Sequence, residues 1–73
     1  MVTVAFFNPD LSDITVFDRI CRDARKATSA NQYSADYRAF RGKIYGVPEN
    51  EVKKVLAVLK DYDMFTTIKG ESQ

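Results

Sequence analysis

The sequence predicts a small α+β domain, in which three helices pack on one face of a two-stranded sheet in the order β-ααα-β. Three observations lead to this fold class. β-Branched and aromatic residues are concentrated at the start of the chain, a Thr-Thr-Ile stretch lies close to its end, and apolar residues recur at helical spacing between them. The 73 residues, 45% of them apolar, suit a single domain that buries about 60% of the surface of its unfolded chain.

The two ends of the chain are the predicted strands. The run Val2–Phe7 is followed by the turn sequence Asn8-Pro9-Asp10, which predicts a strand over residues 1–8. A second strand is predicted over residues 64–69, followed by a flexible tail at 70–73. A strand without a neighbour leaves its backbone polar groups unpaired, so we expect the two strands to pair with each other.

The first helix is predicted over residues 13–28. Thr15 and Asp18 have the spacing of a capping box at its beginning, and polar residues of low helix propensity gather near its end. Apolar residues between these ends recur every three or four positions and define one buried face. That face comprises Phe17, Ile20, Cys21, Ala24 and Ala27.

Two further helices are predicted over residues 34–45 and 48–62. The connection between them is so short that the two helices must cross. The predicted inward positions are Tyr37, Phe40 and Ile44 in the first of these helices, and Val52, Val55, Leu56 and Leu59 in the second.

The turn between these two helices resembles the helix-turn-helix of bacterial and phage transcription regulators. Gly46 supplies the positive φ that a tight helix exit needs, and Pro48 fits the first turn of the next helix. Gly42 leaves room for the helices to cross closely. One position departs from the family pattern, because Arg41 lies where these regulators usually have an aliphatic residue. The resemblance implies a three-helix domain that contains a helix-turn-helix.

The resemblance places the helix over residues 48–62 in the role of a recognition helix. Asn50, Lys53 and Lys54 are then the possible DNA-contacting residues. Glu49 and Glu51 at the same end oppose the phosphate attraction that dominates DNA affinity. The pattern therefore favours the fold more than it favours DNA binding, and a simple helical corner remains an alternative.

The composition argues against catalysis and metal binding. The chain has no histidine and a single cysteine, which removes the commonest general base and most ligand sets for zinc. We therefore predict no enzyme activity, no catalytic residue, no metal site and no cofactor. The lone Cys21, together with the lack of a long apolar run or an apolar leader, predicts a cytoplasmic protein.

Positive charge is concentrated in the middle of the chain. The net charge is +1, but residues 19–43 contain seven lysine and arginine residues and two aspartates. At helical spacing these cations form stripes that attract phosphates or an acidic protein surface, although a solvated outer face is an equally simple interpretation. The predicted partner-binding residues are Arg19, Arg22, Lys26, Arg38 and Arg41.

In its length and character the chain resembles the small regulators of lytic Xanthomonas phages that bind bacterial RNA polymerase. This resemblance implies a phage transcription regulator that inhibits initiation and acts as an antiterminator in the host cytoplasm. Its partner would be the polymerase, with nucleic acid secondary and no cofactor. No heptad or extra helix offers a dimer surface, so we expect a monomer. The alternative is a helix-turn-helix DNA-binding repressor or excisionase-like factor that uses Asn50, Lys53 and Lys54.

Overall fold

The computed structural model describes residues 1–70 and contains four strands and two helices within them. The strands form one antiparallel sheet in the order β2-β3-β1-β4. This is the β-α-β-β-α-β arrangement of two split β-α-β units. The elements are β1 (Val2–Phe7), α1 (Ile14–Lys26), β2 (Gln32–Asp36), β3 (Arg41–Val47), α2 (Glu49–Asp61) and β4 (Phe65–Gly70).

The three-helix architecture and its helix-turn-helix, predicted from the sequence, are wrong. Residues 34–45, predicted as a helix, form the end of β2, a turn and most of β3. Within β3 the side chains of Lys43 and Tyr45 are exposed, whereas Gly42 and Ile44 are buried, which is the period of two that a strand imposes. Pairing with β1 on one side and β2 on the other outweighs the helical spacing of the apolar residues.

The glycines and the proline of the supposed turn have other roles. Gly46 has a positive φ of 68°, as predicted, but it lies near the end of β3 rather than after a helix. Gly42 faces the ring of Phe6 within the sheet, rather than a crossing helix. Pro48 is the N-cap of α2, with φ −60° and ψ 142°, so it precedes the first turn.

The pairing of the two terminal strands is present, within a larger sheet than predicted. β1 pairs with β4 over its whole length, from Val2 opposite Gly70 to Phe7 opposite Phe65. Its other edge pairs with β3, so β1 is a central strand. Of the predicted tail, Gly70 belongs to β4, and residues 71–73 lie outside the described residues.

The helices predicted over residues 13–28 and 48–62 are present as α1 and α2. The capping box is wrong, because the N-cap of α1 is Asp13, whose carboxylate accepts a hydrogen bond from the backbone N–H of Thr15 at 2.9 Å. Asp18 instead forms an ion pair with Arg22 at 3.1 Å, one helical turn further along.

Both helices pack on the same face of the sheet and form the core with it. Alternate side chains of β1 and β3 meet the apolar stripes of α1 and α2 there, and Phe40 of the β2–β3 turn packs edge-on against Phe17 at 5.7 Å. The opposite face of the sheet faces away from both helices. The buried core residues are Val4, Phe6, Phe17, Ile20, Cys21, Ala24, Ile44, Val47, Val55, Leu59 and Met64.

Candidate functional site

The face of the sheet that both helices leave uncovered is the candidate site, and we call it the open face. Strand alternation turns Phe7 away from the core because Phe6, its neighbour, is buried. Registers with β3 and β4 then place Arg41 and Phe65 beside Phe7 on the same face. The open face comprises Thr3, Ala5, Phe7, Gln32, Ser34, Asp36, Arg41, Lys43, Tyr45, Phe65, Thr67 and Lys69.

An aromatic pair lies at one end of the open face. The ring centroids of Phe7 and Phe65 are 5.3 Å apart, with 31° between the ring planes. Phe65 is 58% exposed and Phe7 is 37% exposed. The guanidinium carbon of Arg41 lies 5.8 Å from the Phe7 centroid, within reach of a cation–π attraction. The two rings form an exposed aromatic platform, and the Arg41 guanidinium adds a positive charge at its side.

The middle of the open face has a small side chain, Ala5, in its central strand. Ala5 pairs with Lys43 on one side and with Thr67 on the other. A shallow depression of about 300 Å³ lies there and extends to Phe7 and Arg41. Beyond it the hydroxyl oxygens of Tyr45 and Ser34 are 3.2 Å apart. Phe7 and Lys43 both line this depression.

The charge of the open face is mainly positive. Arg41, Lys43 and Lys69 are its cations, and Asp36 is its one carboxylate among residues 1–70. The Asp36 carboxylate accepts hydrogen bonds from the backbone N–H groups of Arg38 at 3.0 Å and Ala39 at 3.3 Å. Asp36 therefore caps the β2–β3 turn, and the lysine and arginine side chains can meet an anionic ligand.

The five predicted partner-binding residues do not form one patch. Arg19, Arg22 and Lys26 lie together on the outer surface of α1, where they surround a shallow groove. Arg41 lies on the open face, on the other side of the sheet from α1. Arg38 lies in the turn between β2 and β3. The helical stripe that joined Arg38 and Arg41 does not exist, because those residues are not in a helix.

The possible DNA-contacting residues Asn50, Lys53 and Lys54 lie in the first two turns of α2. β3 precedes α2, so these residues have no helix-turn-helix to place them in a groove.

Glu51, in the same turns, has a structural role that the sequence did not predict. Its carboxylate accepts hydrogen bonds from the Ser29 backbone N–H at 2.8 Å and from the Thr28 hydroxyl at 2.7 Å. The hydrogen bond from the Ser29 N–H is the main cause that lowers the pKa of Glu51 below its ordinary value, and the hydrogen bond from the Thr28 hydroxyl is the next.

Other titratable side chains near α1 are engaged within the fold. Burial raises the pKa of the Cys21 thiol to about 11, so the thiol stays protonated at neutral pH. The hydroxyl of Tyr37 donates to Asp18, and that of Tyr62 donates to Asp23; each bond raises the pKa of its tyrosine. Among residues 1–70 no cluster of three or more histidine, cysteine or carboxylate side chains could hold a metal ion.

Sequence reasoning missed Lys43, Tyr45, Phe7 and Phe65 as a joint site. A signal for β3 was present, because Arg41, Lys43 and Tyr45 alternate with Gly42 and Ile44, but the same stretch also fitted a helix. The meeting of Phe7 with Phe65 depends on a pairing across 58 positions of the chain, with register set by the whole sheet.

No protein-family model matches the chain, and no curated protein matches it with significant similarity. Neither α1 nor α2, the helices within residues 1–70, has the length and apolar character needed to cross a membrane. The chemistry of the open face is therefore the guide to the function of this protein.

Proposed function

We propose that this protein binds single-stranded nucleic acid across the open face of its sheet. The observation that supports the proposal is the exposed Phe7–Phe65 pair beside Arg41. Aromatic rings on an uncovered sheet stack on unpaired bases, and arginine or lysine side chains around them bind the phosphates. Stacking accepts every base, so we expect little sequence preference.

The shape of the open face favours a single strand over a duplex. Phe7 and Phe65 lie on paired strands with their rings exposed, and the depression beside them is shallow. Bases in a duplex are stacked on one another and cannot turn their faces to such a platform, whereas bases of a single strand can. Tyr45 lies two positions beyond Lys43 along β3, so a strand that crosses the sheet meets a second aromatic ring after the Lys43 ammonium.

The direct test is fluorescence anisotropy of labelled oligonucleotides of about eight nucleotides, a length within the usual footprint of such surfaces. We expect single-stranded RNA and DNA to bind more tightly than a duplex of the same sequence. Phe65→Ala should weaken single-strand binding by about 1–3 kcal/mol, the contribution of one stacked base. Ile14→Ala removes an equally exposed apolar side chain from the start of α1, at 57% exposure, and should leave binding unchanged. If the Phe65→Ala and Ile14→Ala variants bound single strands with equal affinity, the open face would be excluded as the binding surface.

A second proposal is the polymerase-binding phage regulator that the sequence resembles. The observation that favours a protein partner is the stripe of Arg19, Arg22 and Lys26, which lies on a different side of the molecule from the open face. The helix-turn-helix repressor is not retained, because α2 follows a strand.

The polymerase proposal is tested by titrating labelled protein with bacterial core RNA polymerase. We expect reversal of charge at Arg22 and Lys26 to weaken the complex at low salt, because rim charges steer association. Lys54→Glu is the control, since this exposed residue lies on α2. If the unsubstituted protein formed no measurable complex with the polymerase, the polymerase proposal would be rejected.

A further inference from the structure

β4 is an edge strand with an apolar groove beside it. In the sheet order it has one neighbour, β1, so its outer backbone edge has no strand beside it within residues 1–70. All six of its residues are exposed. Ile68 pairs with Val4, so its side chain points to the helical side of the sheet, where it remains 45% exposed. An edge of this kind is a template for an added strand.

The groove between β4 and α2 has an apolar floor and basic ends. It has a volume of about 290 Å³ and is lined by Leu56, Ala57 and Thr66, with Lys53 and Lys60. Lys53 and Lys60 are seven positions apart on α2, which corresponds to about 10.5 Å along the helix axis. Leu56 lies between them on the same helix face.

We propose that the outer edge of β4 binds an extended acidic segment of a partner protein by strand addition. Strand addition satisfies the free backbone edge through main-chain hydrogen bonds, and the side chains of the added strand select the partner. In the added strand, the side chains that point to the helical side of the sheet lie over Leu56 and Ile68 of this protein. The ends of that row lie near Lys53 and Lys60, so the segment has the pattern Glu-x-Ile-x-Glu. Its two carboxylates are about 13 Å apart in an extended strand, close to the separation of the two lysines.

Charge decides between this occupant and a second copy of the chain. Pairing of β4 with β4 of another copy would bring Lys53 and Lys60 of both copies to one groove, where like charges repel. An acidic segment replaces that repulsion with attraction. The groove and its two lysines lie on the helical side of the sheet, opposite the open face, although β4 contributes side chains to both faces.

The test uses a labelled acetyl-Thr-Glu-Thr-Ile-Thr-Glu-Thr peptide and a partner peptide in which both glutamates are lysines. We expect the acidic peptide alone to bind, with amide NMR shifts confined to β4 and to residues 53–60. The Lys53→Glu/Lys60→Glu variant reverses both charges of the groove and should bind the acidic peptide about tenfold more weakly, or weaker still. The same variant should gain affinity for the basic peptide.

Two controls separate strand addition from simple charge attraction and from the proposed function. Methylation of alternate backbone nitrogens along each edge of the peptide in turn removes its donors, and one of the two methylated peptides should lose binding. Lys53→Glu/Lys60→Glu should leave oligonucleotide binding unchanged, whereas Phe65→Ala lowers it. Shifts outside β4 and α2, equal binding of both peptides, or full binding by both methylated forms would overturn the inference.

Discussion

At the residue scale, the glycine at position 42 is required by its neighbour across the sheet. A Cβ atom at Gly42 would lie 2.4 Å from Cζ of Phe6 and 2.6 Å from its Cε2. The Phe6 ring cannot move aside easily, because it is buried in the core and packs 6.3 Å from the Phe17 ring. The absence of a side chain at Gly42 therefore lets Phe6 fill the core and leaves Phe7 on the open face.

We expect Gly42→Ala to lower the free energy of unfolding by about 1–3 kcal/mol, the usual effect of overpacking a core. Urea unfolding followed by far-UV circular dichroism measures this change. Gly70→Ala is the matched control, because a Cβ at Gly70 has no atom of the described chain within 4 Å. Equal destabilisation by the two substitutions would contradict the packing of Phe6 on Gly42.

At the element scale, Glu51 connects the start of α2 to the segment that joins α1 to β2. Its carboxylate accepts from Thr28 and Ser29, and it also lies in the first turn of α2, where a negative charge is favourable. The Thr28 hydroxyl in turn accepts a hydrogen bond from the Ala30 N–H at 3.1 Å. This network places the beginning of β2, and with it the edge of the sheet beside β3.

We expect Glu51→Gln to destabilise the fold at neutral pH and to have a smaller effect in acid. The folded state lowers the pKa of Glu51 below its ordinary value of 4.5, so the carboxylate stabilises the fold fully above that value. This stabilisation is lost as the pH falls through the lowered pKa. Unfolding measured between neutral pH and the acid range checks this difference. Glu49→Gln, in the same helical turn, controls for the helix dipole. If the difference in unfolding free energy between the two variants did not change with pH, the hydrogen bonds of Glu51 would not be the source of its stabilising effect.

At the scale of the whole molecule, the net charge is +1 and the cations are divided among different surfaces. The α1 stripe of Arg19, Arg22 and Lys26 and the open-face cations lie on opposite sides of the sheet. A molecule with so little net charge has weak long-range attraction for nucleic acid. Binding to a single strand must therefore come from the local arrangement of the open face.

We expect the salt dependence of single-strand binding to report these local contacts. Each phosphate contact contributes a slope of about −0.7 to a plot of log affinity against log salt concentration. Lys43→Gln should reduce the steepness by about 0.7, because one contact is lost. Lys54→Gln changes the net charge equally but lies on α2, so its slope should match that of the unsubstituted protein. An identical slope for all three proteins would exclude Lys43 from the phosphate contacts.

The local sequence determined the elements whose signals are short-range. The β-branched and aromatic run of residues 2–7 and the turn sequence after it predicted β1. The apolar stripes predicted the burial of Phe17, Ile20, Cys21 and Ala24 in α1 and of Val55 and Leu59 in α2. These patterns depend on neighbours within a few positions, so the sequence alone contains them.

Only the tertiary structure decided what residues 34–45 form and where the candidate site lies. Ile44 is apolar at a position compatible with a helix or a strand, and its pairing with Val4 and Tyr33 selects the strand. The same long-range pairing brings Phe7 to Phe65 and separates Arg41 from the α1 stripe. Strand registers across a sheet are set by the combined burial of one face, which no local stretch specifies, and the open face exists because of that choice.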